Sequence, residues 1–319
     1  MTEGTILVAG GSGLIGANLS LRLEKMAVPF VSTRFSKGPA LFPNSVQCDL
    51  TDYRQCLSIT TGISSLVISA AAISGAARSN PSQNILPNVK IAAGLLEACA
   101  VNGVRTVVLL SSSSVYQPSS HPIREEELDL NLAPYPSYLE AGSTNRFLEQ
   151  LASLYCRAYG MRVVVLRPSS VYGPFDKFGS PNSNVIPSLI VRAMRGEAPF
   201  EVWGSPLVVR DFVYVEDVVD DILASLFDES IPADSPINVG SGLAVTIGDA
   251  VDIILKRCGH GGEVVFNGDR PTAIPYRALD TAKHAALFGG KPRTGLAAGI
   301  ARTVAWLSAQ QEGGAFHGV

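Results

Sequence analysis

The sequence predicts an α/β protein built on a parallel, doubly wound β-sheet, and three observations indicate this class. Short runs rich in Val, Ile and Leu alternate with helical patterns through the first half of the 319 residues. The runs are continuously apolar, as in strands that are covered by helices on both faces. A glycine-rich loop joins the first run to the first helical pattern, which is typical of a Rossmann-type nucleotide-binding fold.

Each predicted element follows from its local pattern. The predicted strands cover residues 5–10, 29–33, 66–71, 106–112 and 162–168. Helical segments such as 15–26 and 88–103 lie between them. From about Gly173, Pro and Gly become frequent and short strands and helices mix, which predicts a smaller C-terminal α/β region. We therefore expect a dinucleotide-binding domain over 1–172 and a substrate-binding region over 173–319, whose segments can interleave with the first.

The composition excludes several kinds of partner and site. The net charge of −3 gives no basic footprint for nucleic acid. No apolar run reaches 18 residues and the N-terminal sequence enters a strand directly, so we expect neither a membrane span nor a secretory signal. The five cysteines are scattered, which favours free thiols in a reducing cytoplasm. The four histidines show no ligand spacing, and we expect no metal.

Gly10, Gly13 and Gly16 form a GxxGxxG loop between the first predicted strand and helix. The first glycine allows a tight turn, the second lets the backbone approach a pyrophosphate, and the third permits close helix–strand packing. A plain turn would also use glycine, but the strand–loop–helix context favours a dinucleotide site with anion-binding N–H groups. Its candidate residues are Gly10, Ser12, Gly13, Leu14, Ile15 and Gly16.

The end of the second predicted strand favours NADP(H) over NAD(H). An acidic residue at this place binds the adenosine ribose of NAD, but residues 31–37 read VSTRFSK. Arg34 can stack on adenine and pair with a 2′-phosphate, helped by Ser32 and Lys37. The alternative is that Arg34 is a solvated surface residue.

Further motifs run along nearly the whole chain. They are Cys48-Asp49-Leu50, Ser69-Ala70-Ala71-Ala72, Ser111 to Tyr116, Leu166 to Pro174, Arg210 to Asp217, and Asn238 to Gly242. As a set, these motifs resemble the extended short-chain dehydrogenase/reductase family of nucleotide-sugar epimerases, dehydratases and reductases. The resemblance implies that Asp49 contacts adenine. It also implies a cofactor site that includes Leu50, Ala70, Ala71, Ala72 and Pro168.

Within that family, the likeness is greatest to enzymes that epimerise and then reduce a nucleotide-linked 4-keto-6-deoxyhexose. It rests on segments 172–178, 182–189, 202–205 and 273–280. The resemblance implies a nucleotide-sugar substrate bound by Arg192, Trp203, Arg210 and Arg277. Cations at the three arginine positions suit a diphosphate. A surface salt bridge is the alternative for any one of them, above all for Arg210 beside an aspartate.

The family's Tyr-x-x-x-Lys pair is broken in this chain. The resemblance implies a tyrosine that transfers a proton, a lysine that lowers its pKa, and a serine, here Ser112, that orients the carbonyl. Tyr138 is the candidate tyrosine, but Gly142 follows at the lysine spacing. The motif can also be placed in a second register, counted back from Glu149. In this register Ala141 stands at the tyrosine position and Asn145 stands at the lysine position. Tyr138 would then lie about 4.5 Å early along the helix. Packing is the alternative role for Tyr138, and Tyr135 is a further candidate for the tyrosine.

The epimerisation pair is also replaced. The resemblance puts Ser114 at the position of its cysteine and Asn184 at the position of its histidine. Neither Ser nor Asn titrates near neutrality, so abstraction of a proton next to a carbonyl loses its usual acid and base. Three hypotheses stay open: a reductase with an un-ionised tyrosine, an epimerase or dehydratase with non-standard residues, and a binding protein without turnover. The helices over 88–103 and 136–159 resemble the family's dimer interface, so we also expect a homodimer.

Overall fold

The computed structural model describes residues 4–35, 40–69, 82–180, 182–269 and 274–312. Its main sheet has seven strands, all parallel to their neighbours. The strands are β1 (Thr5–Val8), β2 (Phe30–Arg34), β3 (Ser45–Gln47), β4 (Ile63–Ser69), β5 (Thr106–Leu110), β6 (Arg162–Pro168) and, much later in the chain, β11 (Ile237–Val239). Their order across the sheet is β11-β6-β5-β4-β1-β2-β3.

Helices cover both faces of this sheet. They are α1 (Leu14–Lys25), α2 (Tyr53–Ile59), α3 (Ser82–Asn102), α4 (Leu139–Tyr159) and α6 (Val215–Phe227). Alternate residues of each strand point to opposite faces: Leu7 packs in the cluster that includes residues of α2, α3 and α4, whereas Ile6 and Val8 pack with residues of α1 and α6. The predicted doubly wound, Rossmann-type α/β fold is therefore confirmed.

A smaller set of elements follows β6. It contains β7 (Ser170–Tyr172), α5 (Val185–Met194), β8 (Phe200–Trp203), β9 (Val209–Arg210), β10 (Phe212–Tyr214), β12 (Val245–Thr246), α7 (Ile247–Cys258), β13 (Val264–Asn267), β14 (Tyr276–Arg277), α8 (Ala282–Phe288) and α9 (Leu296–Glu312). Ile190, Ile254 and Ile300 bring α5, α7 and α9 together in a separate apolar core. The chain nevertheless returns to the main sheet after residue 173, because α6 covers one face and β11 pairs with β6.

One window of α3, Asn84–Asn102, is long and apolar enough to cross a membrane by length and composition alone. Core helices of soluble proteins pass the same test, and Leu95 and Leu96 of this helix are fully buried in the protein's own core. Within the described ranges, no group of three or more His, Cys, Asp or Glu side chains could hold a metal ion.

Candidate active site

The loop between β1 and α1 is a tight turn that depends on its glycines. Gly10 has a φ of +81°, a backbone conformation that residues other than glycine rarely adopt. A Cβ on Gly16 would lie 2.2 Å from the Gly10 carbonyl oxygen, so only glycine allows this close packing. Helix α1 begins after Gly13 without a side-chain cap, which leaves its first N–H groups available to a ligand. Ser12 and Gly13 are exposed, whereas Leu14 and Ile15 are half-buried.

The ends of β2 and β3 bring Arg34 and Asp49 close together along the backbone. The Cys48 N–H donates to the Arg34 carbonyl at 2.9 Å. The Asp49 carboxylate accepts from the Thr51 N–H at 2.9 Å and from its hydroxyl at 2.7 Å, which fixes the turn before α2. Leu50 is buried beside it.

The other predicted cofactor positions divide into two groups. Pro168 ends β6 at the same edge of the sheet and pairs with Val239 of β11. Lys37, Ala70, Ala71 and Ala72 lie outside the described residues. The cofactor assignment of these positions therefore stays a prediction.

The serine-rich turn after β5 contacts helix α4. Ser112 begins a short 3₁₀ turn, and its Oγ accepts from the Ser114 N–H at 3.1 Å. Ser114 Oγ accepts from Asn145 Nδ2 at 3.3 Å. A Cβ on Gly142 would lie 2.4 Å from the Ser114 carbonyl oxygen. Both candidate lysine positions of α4 therefore face the Ser114 turn.

Tyr138 lies immediately before α4 rather than within it. It ends the short 3₁₀ turn Pro136–Tyr138, and the helix begins at Leu139. The guanidinium of Arg277 lies over the Tyr138 ring at 4.6 Å from its centroid. Tyr138 therefore contacts a cation, although that cation comes from β14 and not from its own helix.

Arg210 and Arg277 stand opposite each other on the neighbouring strands β9 and β14. Arg210 is 9% exposed. Burial lowers the pKa of its guanidinium to about 10, and the adjacent charge of Arg277 acts in the same direction. Neither arginine forms a salt bridge with a described carboxylate. Two neighbouring guanidiniums that have no counter-charge among the described residues can bind a diphosphate.

Asp211 does not neutralise Arg210, although it is adjacent in sequence. Its carboxylate accepts from the Ser241 N–H at 2.8 Å and from the Ser241 hydroxyl at 2.7 Å. Arg210 donates instead to the Val209 carbonyl at 2.7 Å. The surface salt bridge that was the alternative for Arg210 is therefore absent from the described contacts.

Three other predicted site residues, Arg192, Asn184 and Trp203, are not in the lining of the pocket that contains Tyr138 and Arg277. Arg192 pairs with Glu197, donating from Nε at 2.8 Å. Asn184 is exposed at the N-terminal end of α5, and Trp203 is 61% exposed at the end of β8. Their substrate and catalytic roles stay predictions.

One pocket connects the serine turn, the tyrosine segment and β14. It is lined by Ser113, Ser114, Tyr116, Gln117, Ser119, Ile123, Tyr135, Tyr138, Ile274, Tyr276, Arg277 and Ala278. The sequence did not single out Tyr276 for this site. Its only sequence signal is its place beside Arg277, and in a two-residue strand this does not show which way the side chain points.

A buried polar network lies behind this pocket. Arg167 donates to both carboxylate oxygens of Glu149, at 3.0 and 2.6 Å, and to the Tyr116 hydroxyl at 2.8 Å. Ser111 donates to Glu149 at 2.5 Å. The network joins α4, β5 and β6, so it fixes the position of the serine turn relative to the helix.

Residues 6–240 match the model of the NAD dependent epimerase/dehydratase family. The chain belongs to this family. The match includes the glycine loop, the serine turn, α4 and Arg210, while Arg277 lies beyond it.

Two relatives span nearly the whole chain. GDP-L-fucose synthase of Escherichia coli (strain K12) is 28% identical over 331 residues, which cover 98% of this chain and 99% of the relative. dTDP-4-dehydro-6-deoxy-D-allose reductase of Streptomyces sp is 28% identical over 318 residues, which cover 95% of each. These similarities confirm the predicted resemblance to the extended short-chain dehydrogenase/reductase family and, within it, to GDP-L-fucose synthase.

Solved structures of the family share the fold. MoeE5 in complex with UDP-glucuronic acid and NAD has a TM-score of 0.83 and 27% identity, covering 96% of this chain and 100% of its own. A GDP-L-fucose synthetase from Naegleria fowleri bound to NADP has a TM-score of 0.84 and 22% identity, covering 98% and 95%. Because the two hold different cofactors, the preference of this chain for NADP(H) stays a prediction.

Proposed function

We propose that the protein is an NADP(H)-dependent enzyme that reduces a nucleotide-linked 4-keto-6-deoxyhexose at C4. The observation that carries this proposal is the convergence of Ser114, Tyr138 and Arg277 on one pocket, with Arg210 beside Arg277. A hydroxyl-rich end suits a keto sugar, and a two-arginine end suits its diphosphate. Relatives that reduce or epimerise nucleotide sugars support the same class of substrate.

The residues of the cofactor loop fit a dinucleotide. The uncapped N-terminus of α1 would hold the pyrophosphate, and Gly16 keeps the helix close enough to the loop for that contact. Arg34 at the end of β2 would pair with the 2′-phosphate that distinguishes NADPH from NADH. When bound, NADPH supplies a hydride to the carbonyl carbon.

The side chains at the reacting end are neutral donors. Ser112 would bind the carbonyl oxygen, and Tyr138 would supply a proton from its un-ionised hydroxyl. An ordinary phenol has a pKa near 10, so only about one molecule in a thousand is ionised at pH 7. A proton donor is sufficient for reduction, whereas oxidation and epimerisation need a base. Because Ser114 and Asn184 replace titratable residues, we propose reduction without epimerisation.

The altered α4 also supports two other functions. Non-standard acids and bases could run an epimerase or dehydratase reaction. Alternatively, the absence of lysine from positions 142 and 145 could leave a protein that binds cofactor and sugar nucleotide without turnover.

Mass spectrometry of the ligand that co-purifies with the protein would identify the sugar nucleotide. NADPH oxidation would then be measured with GDP- and dTDP-linked 4-keto-6-deoxy sugars. Reduction at C4, with no deuterium uptake at C3 or C5 from D₂O, is expected. Deuterium uptake would favour the epimerase, and tight binding of both ligands without NADPH oxidation would favour the binding protein.

We also propose that the enzyme works as a cytoplasmic homodimer through α3 and α4. Large apolar side chains are exposed on both helices, among them Leu86 on α3 and Phe147 and Leu154 on α4. Exposed apolar residues on two adjacent helices suit a helical interface with a second copy.

A further inference from the structure

We infer that Asn145 is a positioning residue, whose amide fixes the Ser114 hydroxyl so that Ser114 offers its hydrogen to an oxygen of the sugar. This inference rests on the proposed function and goes beyond it, because it gives a role to the side chain at the family's lysine position in the second register. The resulting site would use neutral hydrogen-bond donors where the family pattern has a cation.

The first observation is the close approach of α4 to the serine turn. A side chain at Gly142 would meet the Ser114 carbonyl oxygen at 2.4 Å and the Pro134 ring at 2.8 Å. The helix lies this near only because residue 142 is glycine. One turn later, Asn145 is completely buried, and its Nδ2 reaches Ser114 Oγ at 3.3 Å.

The second observation is the direction of the hydrogen bonds. A serine hydroxyl has a single hydrogen and can accept further bonds through its lone pairs. Asn145 Nδ2 donates to Ser114 Oγ, and the Ser114 N–H donates to Ser112 Oγ. Both hydroxyl oxygens accept in these two bonds, so neither bond uses a hydroxyl hydrogen. Because Ser114 lines the pocket, its hydroxyl hydrogen can be donated to a ligand there.

The third observation concerns the orientation of the amide. Asn145 Oδ1 has no hydrogen-bond partner among the described residues. The opposite orientation would leave both N–H bonds of the amide buried without an acceptor, and buried unpaired N–H groups are rarer in proteins than carbonyl oxygens with spare capacity. The donating orientation is therefore favoured, and it excludes Asn145 as the acceptor of the Ser114 hydrogen.

The chemical consequence is electrostatic. Negative charge would develop on the carbonyl oxygen during reduction, and a fixed Ser114 hydroxyl, acting beside Ser112, would stabilise that charge without ionising. An amide does not titrate, so Asn145 holds this donor in place at every pH in which the protein is folded. A freely rotating Ser114 hydroxyl would spend part of its time directed elsewhere.

A double-mutant cycle tests the inference by single-turnover NADPH oxidation with the keto sugar that wild type reduces. Loss of one such donor costs roughly 10²-fold in rate, and this is expected for Ser114→Ala. Asn145→Ala should cost about 10-fold, and the double variant should match Ser114→Ala because Asn145 acts only through Ser114. Additive losses, or a wild-type rate in Asn145→Ala, would overturn the inference.

A second variant tests the direction of the bond. A carboxylate in Asn145→Asp would accept the Ser114 hydrogen and turn it away from the sugar, so this variant should be slower than Asn145→Ala. A rate equal to wild type would overturn the inference.

Three controls separate chemistry from folding and from failure of the proposed function. Ser143→Ala alters an exposed neighbour on the same helix and should keep the wild-type rate.

Equal NADPH affinity and an equal thermal midpoint in all variants would show that the site is intact. Asn145→Ser replaces Asn145→Ala if the alanine variant does not fold. If none of the keto sugars causes wild type to oxidise NADPH, the proposed function is wrong and the inference fails with it. If wild type reduces a keto sugar and the Ser114 and Asn145 variants keep the wild-type rate, the inference is wrong but the proposed function stands.

Discussion

Arg277 has two neighbours that matter for chemistry, because its guanidinium lies over the Tyr138 ring and opposite Arg210. A cation above an aromatic face is worth about 0.5–2 kcal/mol, depending on how far the pair is desolvated. The same guanidinium is one of the two that are proposed to bind the diphosphate. Binding of the sugar nucleotide would therefore also fix the tyrosine that is proposed to protonate it.

Replacement of Tyr138 tests the proposed proton donor. Tyr138→Phe should slow single-turnover NADPH oxidation by roughly 10²–10⁴-fold, the contribution of positioned proton transfer. Because the proposed donor is un-ionised, the wild-type rate should stay flat from about pH 6 to 8. Tyr135→Phe tests the other candidate tyrosine, which lines the same pocket and donates to the Tyr276 carbonyl at 3.3 Å, and it should keep a rate near that of wild type. Equal rates for wild type and Tyr138→Phe would assign Tyr138 to packing.

The arginine pair is tested by affinity for the sugar nucleotide. Arg210→Ala or Arg277→Ala should weaken binding by about 1.5–3 kcal/mol, or roughly 10- to 150-fold, the scale of hydrogen bonds to a charged group. Calorimetric titration in the absence of NADPH measures this loss. Arg192→Ala is the comparison, and the Glu197 ion pair predicts a smaller loss there. Unchanged affinity in both Arg210→Ala and Arg277→Ala would remove the diphosphate assignment.

Cofactor choice is also a residue-scale question. Arg34 ends β2, where an acidic residue would select NAD. Wild type should bind NADPH more tightly than NADH, and Arg34→Ala should weaken NADPH while leaving NADH nearly unchanged. Fluorescence titration with both cofactors gives the four affinities. Identical wild-type affinities for NADPH and NADH would contradict the preference.

At the scale of elements, helix α4 is limited by how closely it packs on the serine turn. Gly142→Ala should destabilise the protein by about 1–3 kcal/mol, because its Cβ would overlap the Ser114 carbonyl. Gly94→Ala in α3 is the matched control: its Cβ would meet Cys56 at an ordinary 3.5 Å, and alanine favours a helix interior. Urea unfolding distinguishes the two, and similar stability of both variants would show that the approach is not tight.

The same geometry bears on the register of the missing lysine. A lysine at 142 would meet the backbone of the serine turn, whereas Asn145 already directs its side chain to Ser114. We therefore propose the second register, with Ala141 and Asn145 at the family's two positions. Asn145→Lys should strengthen NADPH binding relative to Asn145→Ala, and Gly142→Lys should weaken folding instead.

Several elements could be predicted from sequence because their signals are local. Continuous apolar runs found the strands that became β1, β2, β4, β5 and β6, and the glycine spacing found the start of α1. Strand β3 was missed because Ser45–Gln47 is short and lies at the sheet edge, where half-exposed side chains carry little apolar signal. The contact of Asn145 with Ser114 could not be predicted, since it depends on packing between residues 31 positions apart.

At the scale of the whole molecule, buried charges join the layers. Arg167 of β6 and Glu149 of α4 are 3% and 7% exposed and form a two-pronged pair. Through the Tyr116 hydroxyl, which donates to Asn238 Oδ1 at 2.6 Å, this pair reaches β11. Asn238 Nδ2 in turn donates to the Asp280 carbonyl at 3.1 Å, close in sequence to Arg277. The network therefore connects α4 and β6 to β11 and to the segment that follows β14.

The assembly of two molecules is the remaining prediction at this scale. Leu86, Phe147 and Leu154 are 58%, 48% and 55% exposed on α3 and α4, and burying such side chains against a second copy would remove apolar surface from water at about 25 cal/mol per Å². Light scattering after gel filtration should give twice the 33.6 kDa chain mass for wild type. Phe147→Glu should shift the protein toward monomer, because two copies of a buried charge would meet near the interface. Leu243→Glu, at a site 58% exposed outside these helices, is the control and should stay dimeric. A monomeric wild type, or a Phe147→Glu variant that stays dimeric at low micromolar concentration, would contradict an interface through α3 and α4.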